Sequence, residues 1–152
     1  MPTVTLTFTT LPEHVRTARL VAAAVARRHG LTEDVLDDIR LAVGEACARA
    51  VARAQDAGRQ GTMHVEIFEP PDRLVVVIRD DGDAGSRAPD ATAGDIAEQV
   101  SLTIVRALAD EVQMGTAAGA RAGTDETTDE TTDDMDGVHA ASAGALRLVW
   151  HL

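Results

Sequence analysis

The sequence predicts an α+β two-layer sandwich, with its helices on one face of a mostly antiparallel sheet. Three observations carry this reading. Five segments alternate or run β-branched as strands do, three repeat apolar residues at helical spacing, and they follow one another as β, α, α, β, β, α, β, β. The third is composition: 45% of the 152 residues are hydrophobic but only 2% aromatic, with no Tyr, so the core must be built from Ala, Val, Leu and Ile. The length suits one domain over residues 1–152.

Residues 3–9 (TVTLTFT) set Val4, Leu6 and Phe8 against threonines, the period of a strand with one buried face. TLPE follows, with Thr10 as expected N-cap, Glu13 completing a capping box and Pro12 in the first turn. Val15, Ala18, Val21, Ala22 and Val25 then mark the buried face of a first helix ending near Gly30. A second helix is expected from Thr32, with Glu33 and Asp34 at its positive end, to about Gln55. Its expected buried stripe is Val35, Ile39, Ala42, Val43, Ala46 and Ala50.

MHVEIFE (63–69) and RLVVVIR (73–79), joined by PPD, read as an antiparallel hairpin. DDGDAGSRAPDATAG (80–94) is a loop by composition, and a third helix follows at about 95–109. EVQMGT (111–116) and ALRLVWHL (145–152) complete the strands. Between them, 117–142 carries a TDET repeat that cannot bury apolar surface and repels itself, and is expected to be a disordered acidic insertion in a hairpin loop.

Formal net charge is −11, but TDETTDETTDDMD (124–136) holds seven acids and no base, leaving −4 for the rest. Without a basic stripe the chain is a poor candidate for nucleic-acid binding, which needs clustered Lys and Arg. The lone Cys47 allows no intrachain disulfide, and no apolar run approaches membrane-spanning length, so a cytoplasmic protein is expected. The five histidines lack paired spacing, and DDGDAG lacks the glutamate and flanking helices of an EF-hand, so no metal site is expected. Cys47 and Trp150 read most simply as core residues.

Three stretches in this order carry a family resemblance: DDIRLAVGEACARAV (37–51), VVVIRDDGDAG (75–85) and SLTIVRALADEVQM (101–114). They resemble the N-box helix, the strand ending in D-x-G-x-G and the closing helix-strand segment of the anti-sigma-factor serine kinases. These belong to the histidine-kinase-like (GHKL) ATPases with a Bergerat nucleotide fold.

The resemblance implies that Glu45 stands where a general base meets the serine of a partner, and Arg49 where an asparagine completes the Mg²⁺ shell. A guanidinium has no lone pair for a metal and repels it, so Glu45 is read as a vestigial base. Asp80 and Gly82 match the adenine-recognising carboxylate and glycine, while Ala84, beside Gly85, replaces the next glycine. Gln99 and Ser101, before Leu102, replace glycines that cradle phosphate, and Ala145 replaces a threonine. Arg16 and Arg19 lie where the family meets its partners; their plainer reading is a solvated helix face.

The function implied is a regulatory protein that binds a sigma factor or a STAS-domain anti-anti-sigma factor, with little or no kinase activity. Two alternatives stand beside it. One is a switch gated by ADP or a nucleotide sugar bound without Mg²⁺, with Arg49 on a phosphate; the other is an active serine kinase. A homodimer is a further assembly implied by the family. The plain reading of Glu45 and Arg49 is an i,i+4 ion pair on the helix surface.

Overall fold

The computed structural model describes residues 2–58, 60–81, 93–115 and 145–152. Its elements are β1 (Val4–Thr9), α1 (Pro12–Arg27), α2 (Glu33–Asp56), β2 (Thr62–Phe68), β3 (Arg73–Asp80), α3 (Ala93–Leu108), β4 (Glu111–Gly115) and β5 (Ala145–His151). This is the order expected from periodicity, with boundaries displaced by one to three residues, the largest at the end of α1, which stops at Arg27 rather than near Gly30. The strands form one sheet in the order β1-β2-β3-β5-β4, and every neighbouring pair is antiparallel. The segment read as an acidic insertion lies outside the described residues, as do Gly82, Ala84 and Gly85.

Alternation sorts the strand residues. Val4, Leu6, Phe8, Met63, Val65, Ile67, Leu74, Val76, Ile78, Leu146, Leu148 and Trp150 share the main core with the helices. Val75, Val77, Ala145 and Val149 form a second cluster with Phe68. These residues occupy the other parity of β3 and β5, so their strands bury both kinds of position.

The helical layer is alanine-rich where it is tight. Ala18, Ala22 and Ala26 of α1 are fully buried, as are Ile39, Ala42 and Val43 of α2. Small side chains let α2 lie close to α1 on one flank while it packs against α3 on the other. Leu36 is buried where the sequence pointed to Val35, which is only partly buried. Trp150 is 3% exposed, and its indole N–H donates to the Leu108 carbonyl at 2.9 Å, tying β5 to the end of α3.

The expected capping box does not form. Leu11, extended at φ −117°, occupies the N-cap of α1 and Pro12 opens the helix. Thr10 is instead buried against the start of β2: its hydroxyl donates to the Gly61 carbonyl at 3.3 Å and accepts from the Gly61 N–H at 3.0 Å. A backbone pair from Thr10 N–H to the same carbonyl leaves the threonine serving the sheet edge rather than the helix end. Thr32 does occupy the N-cap of α2, without a side-chain cap bond, and Glu33 and Asp34 stand in the first turn.

Candidate functional site

The site is built on α2, which carries Glu45, Arg49 and Arg53 at successive i,i+4 steps along one face. That face looks toward α3, which brings Glu98 and Ser101, and toward the end of β3, which brings Asp80. The three elements meet because α2 packs over β3 and beside α3.

The helical Glu45–Arg49 pair is replaced by contacts across elements. Arg49 Nη2 donates to Glu98 Oε1, and the Ser101 hydroxyl donates to Glu45 Oε2 at 3.3 Å. Two side chains expected in separate roles, Glu45 at the base position and Ser101 at the phosphate loop, are thus hydrogen-bonded to each other.

Arg53 joins the network. Its Nη2 donates to Asp80 Oδ2 at 2.9 Å, and its Nη1 lies 3.9 Å from Glu98 Oε1. The side chains of Arg49 and Asp80 are each 9% exposed, those of Arg53 and Glu98 28% and 24%. Burial and the neighbouring Arg53 charge pull Arg49 below the usual arginine value, which Glu98 and Asp80 partly offset. Arginine stays protonated through such a shift, so two guanidiniums are ion-paired with two carboxylates, Glu98 and Asp80, beside the Glu45 carboxylate held by Ser101.

Neither Arg53 nor Glu98 was singled out from the sequence. The signal was present: Arg49 and Arg53 are like charges one helical turn apart, an arrangement that repels unless another element supplies an acid.

The remaining predicted residues are dispersed. Gln99 is exposed, and its carbonyl accepts from the Thr103 hydroxyl at 2.9 Å. Leu102 packs partly buried against the core. Both, with Ser101, lie inside α3 beyond its first four residues, so their N–H groups belong to the helical hydrogen-bond ladder. Arg16 and Arg19 are exposed on α1. The aliphatic part of Arg19 lies over Gly44, the residue before Glu45.

Among the described residues no group of three or more His, Cys, Asp or Glu side chains is placed to hold a metal. No helix among them is long and apolar enough to cross a membrane.

Comparison with known proteins agrees with this fold. The histidine kinase-like ATPase domain matches residues 8–124. The serine-protein kinase RsbW of Bacillus subtilis strain 168 is 32% identical over 119 residues, covering 71% of this chain and 74% of that protein. RsbW of Bacillus velezensis is 33% identical over the same shares, and RsbW of Oceanobacillus iheyensis is 26% identical over 82% of this chain and 86% of its own. The chain therefore belongs to the histidine kinase-like ATPase family, in the anti-sigma-factor serine-kinase group that its three motifs resemble.

Proposed function

We propose that the chain is a cytoplasmic anti-sigma-type regulator that holds a sigma factor or a STAS-domain anti-anti-sigma factor, with little or no phosphoryl transfer. The observation that carries this reading is Arg49, which stands at the position of the family's metal ligand and is ion-paired to Glu98. A buried guanidinium offers Mg²⁺ no lone pair and opposes its charge. The residues present therefore do not fit the Mg²⁺–ATP of the active kinases.

Two further features support it. The Glu45 carboxylate, which a catalytic base would turn to a partner's serine, accepts from the chain's own Ser101. The N–H groups of Gln99 and Ser101 lie within a helix rather than an open glycine loop, so they are not free to cradle phosphate. Phosphoryl transfer rests on positioning and charge stabilisation, and loss of one preorganised donor can cost on the order of 2.7 to 4 kcal/mol. The exposed Arg16 and Arg19 remain available to a partner, and arginines are common interface anchors.

Purified chain mixed with each sigma factor and STAS protein encoded beside it should form a complex with at least one, without serine phosphorylation. Labelled phosphate transfer that disappears in Glu45→Ala would instead establish the kinase. The ligand-gated alternative draws its support from Arg49 and Arg53, two guanidiniums close enough together to share one anion.

A further inference from the structure

Two guanidiniums on one helix converge on a single oxygen. Arg49 Nη2 donates to Glu98 Oε1, and Arg53 Nη1 lies 3.9 Å from the same atom. Arg49 is nine-tenths buried, and its Nε is buried without a hydrogen-bond partner among the described residues. A carboxylate bound through one oxygen leaves that donor unused. A phosphate group, with three acceptor oxygens, has enough to meet Arg49 Nη2, Arg49 Nε and Arg53 Nη1 together.

We propose that Arg49 and Arg53 form a metal-free anion site for phosphate-bearing ligands, and that Glu98 is its resident occupant. An external phosphate enters by displacing the Glu98 side chain from Arg49. Glu98 is suited to leave because it is partly solvent-exposed on α3, whereas Arg49 is held in the interior. The Arg53–Asp80 pair at 2.9 Å anchors the second guanidinium while the exchange takes place.

The balance of charge explains why Glu98 matters. With Glu98 in place, the two arginines face two carboxylates, so an incoming anion gains little. With Glu98 displaced or neutralised, Asp80 still pairs with Arg53 but Arg49 has lost its ion-pair partner, and in a poorly solvated setting its charge-assisted bonds to phosphate are strong. This site rests on the reading above that Mg²⁺ does not bind at position 49.

The test is calorimetric titration of inorganic pyrophosphate, with EDTA present, into the wild-type chain, Glu98→Gln and Glu98→Gln/Arg49→Met. Glu98→Gln should bind pyrophosphate roughly ten- to a hundredfold more tightly than wild type, and the gain should vanish in the double variant. Equal affinity in wild type and Glu98→Gln, or a gain that survives loss of Arg49, overturns the site. Should Glu98→Gln fail to fold, Glu98→Asp, whose shorter arm withdraws the carboxylate, is subject to the same expectation. ADP titrated in parallel names the source: tighter binding than pyrophosphate supports a nucleotide, equal binding supports the phosphates alone. Wild type that binds Mg²⁺–ATP but nothing in EDTA contradicts the reading of position 49, whereas a Glu98→Gln chain without a gain contradicts only this site.

Discussion

The side chain of Arg19 lies across Gly44: a Cβ added to Gly44 would stand 2.6 Å from Arg19 Cδ and 3.2 Å from Cγ. A glycine within α2 therefore lets an α1 arginine reach the neighbourhood of Glu45. Gly44→Ala should change stability by less than about 1 kcal/mol, because the gain in helix propensity offsets the displacement of an exposed side chain. Partner affinity should fall at least as far as in Arg19→Ala. Thermal unfolding and partner titration together check this, and unchanged affinity in Gly44→Ala would show that Arg19's position over Gly44 does not serve partner binding.

The Arg49–Glu98 pair should show strong coupling in a double-mutant cycle. Glu98→Ala strands a guanidinium that is 9% exposed. Removing one partner of a buried pair typically costs about 3 to 5 kcal/mol, and partial exposure of Glu98 reduces this to roughly 2 to 3. Arg49→Leu/Glu98→Leu should recover stability to within about 1 kcal/mol of wild type, as urea unfolding would report.

Glu69 clasps the end of α1, accepting from Arg28 Nη2 at 2.8 and 2.9 Å and pairing with His29 at 3.0 Å. Burial pushes its carboxyl up, but hydrogen bonds from Thr3, Arg28 and His29 outweigh this and hold it below the ordinary glutamate value. A depressed folded value means stability that is present above the unfolded pKa and lost as pH falls through the folded one. Glu69→Gln should cost under about 1 kcal/mol at pH 7, given the exposed Arg28, and the difference should close as the solution is acidified below about pH 4. Urea midpoints across that range test it; a difference constant with pH would contradict it.

Cys47 is fully buried, and burial pushes its thiol up to about 12. Its contribution to stability is constant at neutral pH and declines only as pH rises past the unfolded value near 9 toward the folded one. Native protein at pH 8 should resist a disulfide-exchange reagent and react fully once unfolded. Rapid native labelling would show that α2 opens far more readily than its packing implies.

The fold was legible because each element announces its own period. TVTLTFT alternates, the first helix sets Val15, Ala18, Val21, Ala22 and Val25 along one face, and RLVVVIR is a nearly continuous β-branched run. Thr10 misled because the same hydroxyl that caps helices also bonds a neighbouring strand, and the nearness of Gly61 is a tertiary fact. The site was legible by halves. Glu45, Arg49, Asp80 and Ser101 came from motif positions, and the structure brings them together with Glu98 and Arg53. The pairings themselves join residues 27 to 56 positions apart, a separation that no helical or strand period encodes.

Whether the chain holds a partner without Mg²⁺ or phosphoryl transfer is decided by the affinity of the purified chain, in EDTA, for each sigma factor and STAS protein of its own genome. At least one complex is expected, with a Kd of about 1 μM or tighter, loosened roughly tenfold or more by Arg19→Ala and accompanied by no phosphoserine when Mg²⁺–ATP is added. Binding to none of them, or binding only with Mg²⁺–ATP followed by phosphorylation of the partner, would contradict it.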